Sequence, residues 1–128
     1  MSATLDFSFD DDQVALRALA DQILDDFATT ERMNALEREP EWFDRDAWTA
    51  LGSAGVLGAG LPESVGGGGG GFLATAVALE SVGRHVAMVP MLTSIVGGAM
   101  PIATFGDDAQ RATYATPAAT GEIGRASC

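Results

Sequence analysis

VAMVPMLTSIVGGAMPIATFG, residues 86–106, decides how the whole chain is read. It runs 21 residues without a charged side chain, long enough to cross a bilayer as one helix. Pro90, Pro101, Thr93, Ser94 and three glycines argue against a span, and neither a lysine nor an aromatic belt flanks it, although Arg84 and His85 precede it. The stretch is therefore expected to form two buried helices broken near Pro101, with no membrane span. Something else in the chain must then cover it.

The cover is helical. Upstream, Phe72, Leu73, Ala76, Val77 and Leu79 give a wide apolar helix face that ends near Val82, with Gly83 as a natural stop. Glu80 and Arg84 stand four residues apart, the spacing of a helical ion pair, and His85 reads as a helix C-terminal residue rather than a catalyst. Further back, Asp10 with Gln13 three residues on has capping-box spacing, and Phe9 and Val14 occupy the positions of a hydrophobic staple. Leu16, Leu19, Ala20, Ile23 and Phe27 then recur at three- and four-residue steps, predicting a helix from Asp11 to about Ala28. A short helix through Met33 and Leu36 breaks at Pro40. Another, capped by Asp44, carries Ala47, Trp48 and Leu51 inward and closes at Gly55 with Val56 against Leu51. Downstream, Asp107 and Gln110 form a second capping box, and Pro117 ends that last helix.

The connector is unusual. Residues 56–71 read as a loop carrying six consecutive glycines, Gly66 to Gly71. The run matches the G-x-G-x-x-G pattern trivially, but no strand precedes it, so it reads as a flexible linker rather than a phosphate cradle. The sum is an all-α fold, a helical bundle or orthogonal up-down array of five or six helices.

Composition narrows the chemistry. The 128 residues include 18 acids and 7 basic residues, for a net charge of −11, and every basic residue is an arginine. Without lysine there is no P-loop or Schiff-base chemistry. One His and one Cys, Cys128, exclude zinc ribbons, the two-histidine metalloprotease helix and an internal disulfide, so no metal site is expected. The acids crowd into residues 1–46, a solvated surface that repels nucleic acid. Asp10, Asp11 and Asp12 lack the alternating pattern of a calcium loop and serve as a cap. The acidic N-terminus lacks the basic region of a signal peptide, which makes the cytoplasm the default location. No residue pattern assigns a catalytic residue.

Four blocks in order resemble the N-terminal helical domain of the acyl-CoA dehydrogenases. Phe9-Asp10-Asp11-Asp12-Gln13 resembles the opening cap of that family. The segment from Trp48 through Leu51, Gly55, Gly58, Pro62 and Glu63 to Gly66-Gly67 resembles its W-x-x-L-x-x-x-G-x-x-G-x-x-x-P-E-x-x-G-G block. Leu79-Glu80 to Gly83-Arg84 resembles its L-E-x-x-G-R helix end. Gly106 to Gln110-Arg111, followed by Gly121-Glu122, resembles its G-x-x-x-Q-[RK] and G-E block. The arginine-only basicity, the Ala and Gly excess and the Pro90–Ser94 segment look like an actinobacterial branch.

The resemblance implies a domain at residues 1–122 with an off-pattern tail at 123–128. Enzymes of this family use FAD to remove hydrogens from Cα and Cβ of an acyl-CoA: a glutamate takes the α-proton and flavin N5 the β-hydride. The base and most flavin contacts lie in later domains, so FAD is not expected to bind this chain alone and its cofactor-binding residues stay unassigned. The tail points to a truncated N-terminal domain, by frameshift, gene rearrangement or cloning of a piece, completed by the missing FAD-binding domains or by a partner subunit. The alternative is an autonomous helical interaction or assembly module without catalysis. What the resemblance carries over is a wall for the acyl end of the substrate pocket, with Met91, Leu92, Ser94 and Ile95 as candidates. Bared contact faces imply a homo-oligomer or a marginal fold, and Cys128 is expected to be a reactive thiol.

Overall fold

The computed structural model describes residues 4–123; residues 124–128, including the Cys128 thiol and nearly all of the expected tail, lie outside the described set. Six helices and no strand occur among the described residues. Helix α1 is Asp11–Phe27, α2 Thr30–Leu36, α3 Arg45–Ser53 and α4 Gly71–Arg84. Helix α5 covers residues 91–105 and α6 residues 108–119. None of them is long and apolar enough to cross a membrane.

Local chemistry sets the helix starts. The Asp10 carboxylate accepts from the Gln13 amide at 2.8 Å while the Gln13 side chain accepts from the Asp10 amide at 3.1 Å. Thr29 Oγ1 accepts from the Arg32 amide to start α2, and the Asp44 carboxylate accepts from the Ala47 amide at 3.0 Å to start α3. The second capping box, Asp107 with Gln110, opens α6. Each of these acceptors satisfies amides that the first turn leaves orphaned.

The helix ends are more instructive. After α3, the Val56 amide donates to the Leu51 carbonyl at 2.9 Å and the Gly55 amide to the Gly52 carbonyl at 3.1 Å, a Schellman closure around Gly55 at φ 81°. Helix α4 runs through Gly83, where the sequence suggests a stop. Its left-handed residue is instead Val86, at φ 52°, and the Ala87 amide reaches back to the Val82 carbonyl. The same motif closes α6: the Glu122 amide donates to the Pro117 carbonyl, with Gly121 at φ 80°.

Neither late proline breaks its helix. Leu92–Ala99 and Arg111–Ala115 are wound as wider π-turns, so that the Met100 amide donates to Ile95 and the Thr116 amide to Arg111, five residues back. Each widened stretch ends just before a proline that follows at the second position of an α-segment, Pro101 or Pro117. Each proline lacks an N–H in either winding, and the helix runs on past that one missing donor, so one helix replaces the two expected across Pro101, and Pro117 lies inside α6 rather than at its end.

The glycine-rich connector is folded. Val56, Leu57, Leu61 and Val65 are fully buried, which anchors the loop from beneath. Above them the amides of Gly67, Gly68, Gly69 and Gly70 donate to the carbonyls of Pro62, Gly58, Leu61 and Ala59. A loop held by four buried apolar side chains and its own hydrogen bonds is a structural strap, not a flexible linker.

Helix α4 lies along α1, α3 also crosses α1, and the first half of α5 packs on the end of α6. They enclose one core that includes Leu24, Trp48, Leu51, Leu61, Met91 and Ile95. Leu24 was absent from the apolar stripe read in the sequence, yet it is fully buried, whereas Leu19 within that stripe is partly exposed. Backbones come close where α3 meets the end of α6: a Cβ on Gly52 would collide with the Thr120 carbonyl. Burying one leucine side chain of this core contributes roughly 1.5–3 kcal/mol.

Candidate functional site

Helix α5 begins after the turn at Val86. Its first turn is fixed by Pro90, whose carbonyl accepts from the Ser94 amide at 2.9 Å and from Thr93 Oγ1 at 3.2 Å. Of the four wall candidates, Met91 and Ile95 are fully buried and Ser94 nearly so, all facing the core of this chain. Leu92 points the other way and is 61% exposed. The four therefore divide into three that hold the helix from behind and one that a ligand can touch.

Two clefts lie away from the four wall candidates. An apolar one of about 310 Å³ lies where α5 meets α6, lined by Pro101, Ile102, Phe105, Gly106, Gln110 and Tyr114. Its signal was present in the sequence as apolar Ile102 and Phe105 just before the Asp107 cap, but only the turn brings Tyr114 against them. A basin of mixed lining, about 580 Å³, lies over α2 and the start of α3, with Leu36, Pro40 and Phe43 beside the charged Arg32, Glu39, Glu41, Asp44, Arg45 and Asp46.

The basin is built around a part-buried ion pair. Asp44, 3% exposed, takes two hydrogen bonds of 2.7 Å from Arg32, through Nε and Nη2. Burial raises its carboxyl pKa, but the bonds from Arg32 and from the Ala47 amide, with the Arg32 charge, outweigh that and hold it below the usual carboxylate range. Arg32 in turn is held more firmly charged, by its bond to Asp44 first and by Asp46 at 3.0 Å second. Sequence identified Asp44 as a cap; the arginine twelve residues away becomes its partner only when α2 folds back. The anticipated Glu80–Arg84 pair is replaced by two links to α1, Arg17 to Glu80 at 2.6 Å and Arg84 to Asp21 at 3.3 Å.

The glycine loop is not an open phosphate cradle. The amides of Gly66 to Gly70, which a phosphate would need, are all spent on carbonyls within the loop. Among the described residues no group of three or more His, Cys, Asp or Glu is placed to hold a metal ion.

Comparison with known proteins gives this geometry its context. The family model described as acyl-CoA dehydrogenase, N-terminal domain, matches residues 10–122. The acyl-CoA dehydrogenase FadE27 of Mycobacterium tuberculosis is 34% identical over 118 residues, covering 92% of this chain and 32% of that protein. Among solved structures, a chain of the ChsE4-ChsE5 complex from Mycobacterium tuberculosis superposes with a TM-score of 0.87 at 34% identity, covering 92% of this chain and 32% of its own. A variant of the Tcur3481-Tcur3483 steroid ACAD superposes with a TM-score of 0.81 at 40% identity, covering 86% and 30%. The chain thus spans about a third of the length of the relatives it matches.

Proposed function

We propose a function from one premise: this chain belongs to the acyl-CoA dehydrogenase family, as its N-terminal helical domain. The proposed role is to wall the acyl-chain end of the pocket in an FAD-dependent enzyme that dehydrogenates acyl-CoA thioesters between Cα and Cβ. The observation that carries this reading is the match over residues 10–122, which begins at the Asp10 cap of α1 and ends at Glu122, whose amide closes α6. With the amides of the glycine loop spent within the loop, this reading assigns FAD contacts and the proton-abstracting base to other parts of the enzyme.

Within the wall, Leu92 is the contact residue, and Met91, Ser94 and Ile95 fix its position from the core side. Assembly with a second copy or a partner subunit belongs to the same reading, supported by the bared Phe105 and Tyr114 and by the ChsE4-ChsE5 pairing of a relative. So does a cytoplasmic location. The test joins residues 4–123 to the remaining two thirds of FadE27 and compares Leu92→Ala and Leu92→Trp on short and bulky acyl-CoA substrates. A pocket methylene is worth about 1–3 kcal/mol, so the ratio of kcat/KM between the substrates is expected to move about tenfold or more, in opposite directions for the two variants. A ratio unchanged in both would remove Leu92 from the wall.

A further inference from the structure

His85 sits at the junction of α4 and the turn that leads to α5, and both of its ring nitrogens face acceptors. Nδ1 lies 2.8 Å from the Ser81 carbonyl of its own helix, and Nε2 lies 2.8 Å from Asp25 Oδ1 on α1. A carbonyl and a carboxylate can only accept. A neutral imidazole carries one N–H and satisfies one of the two; the imidazolium satisfies both. The surroundings favour the charge. The ring caps the C-terminal end of α4, where carbonyl dipoles attract a cation. Asp21 Oδ1, buried and without a hydrogen-bond donor among the described residues, lies 3.8 Å from Nδ1. The other charged groups here are already paired: Arg84 with Asp21 Oδ2, and Glu80 with Arg17 further along the same helix face. Residues 86–91 carry no titratable group.

The next residue makes the contact matter. Val86 occupies a left-handed conformation at φ 52°, a strained position for a β-branched side chain, and is 70% exposed. Two backbone bonds of 3.1 Å hold this turn, Val86 to Gly83 and Ala87 to Val82. Just beyond it, the Met88 carbonyl accepts from the Asp44 amide at 2.8 Å, tying the turn to the start of α3.

From this arrangement we infer that His85 is a proton-operated latch: as the imidazolium it clamps α1 to the last turn of α4 and holds the strained Val86 turn that sets the direction of α5. Loss of the proton leaves one ring nitrogen as a lone pair facing an acceptor, and the turn loosens. The Ser81 bond first, then Asp25 and Asp21, against the opposing effect of burial, raise the His85 pKa above its ordinary value. The sign follows. The stabilisation is complete below the unfolded value of about 6.5 and is lost as pH rises through the higher folded value.

The chain has a single histidine, so one imidazole C2–H resonance reports the titration directly. The expected midpoint lies above 6.5, and Asp25→Asn lowers it. Amide exchange at Ala87 and Val86, corrected for the intrinsic effect of pH, is expected to lose protection across that midpoint. That loss should vanish in His85→Gln, where no proton is gained or lost. A midpoint at or below 6.5, or protection at Ala87 that does not change across the titration, overturns the latch. Asp25→Asn alters only an exposed partner, so the test stands even where His85→Gln fails to fold.

Discussion

Asp44→Ala is the perturbation that reaches furthest into this fold. The side chain makes three contacts at once: two bonds of 2.7 Å from Arg32 and one of 3.0 Å from the Ala47 amide. Loss of a helix N-cap costs about 1 kcal/mol. Charge-assisted bonds to a buried carboxylate contribute about 1.5–3 kcal/mol, but Arg32 is one-third exposed and keeps Asp46, so the lower end applies. The sum is about 2–3 kcal/mol. Asp46→Ala is the control, because Asp46 is 77% exposed and its bridge to Arg32 is worth about 0–1 kcal/mol. Urea denaturation of the two variants measures both numbers. For a domain of this size 1 kcal/mol corresponds to about 4 °C in Tm, so Asp44→Ala is expected to melt about 8–12 °C below the parent chain. An Asp44→Ala loss under about 0.5 kcal/mol, or an Asp46→Ala loss equal to it, would refute the argument that the buried carboxylate organises α2 and α3.

Three further outcomes follow from the same structure. The folded pKa of Asp44 is depressed, so its contribution is present above the unfolded value of about 3.9 and is lost as pH falls through the folded one; Asp44→Asn, which keeps the cap, should show a shallower loss of stability in acid titration. Gly52→Ala drives a methyl into the Thr120 carbonyl and should cost about 1–3 kcal/mol in urea, although alanine is the better helix former; a neutral or stabilising result would mean that α3 and the end of α6 are not in backbone contact. Leu24→Ala empties a fully buried site and should cost about 2–5 kcal/mol by thermal melting, against under 1 kcal/mol for Leu19→Ala.

How much of this was legible depended on the range of the interactions. The caps at Asp10, Asp44 and Asp107 and the closure at Gly55 were readable because donor and acceptor lie within a few residues. The π-turns before Pro101 and Pro117 were not, since a proline signals only that a hydrogen bond is missing and tertiary packing decides whether the helix breaks or widens. The glycine run misleads through composition: Gly66–Gly71 alone suggest flexibility, while the ordering comes from Leu57, Leu61 and Val65 underneath. Glu80 and Arg84 had a good local partner in each other and took partners on α1 instead, because α1 packs along that face. In the candidate wall, the family pattern indicated a helix but not a face, and only the structure separates Leu92 from Met91, Ser94 and Ile95.

These residues form the helical domain of an acyl-CoA dehydrogenase, and the proposal leaves the flavin to the rest of the enzyme. Purifying the chimera of residues 4–123 with the remaining two thirds of FadE27, beside the chain alone, and measuring both bound flavin absorbance and acyl-CoA oxidation with an artificial electron acceptor tests it most directly. A yellow, active chimera is expected, beside a colourless chain that does not change the flavin spectrum on titration with FAD. A chimera that folds and holds FAD but oxidises no acyl-CoA, or a chain that binds FAD by itself, would contradict it.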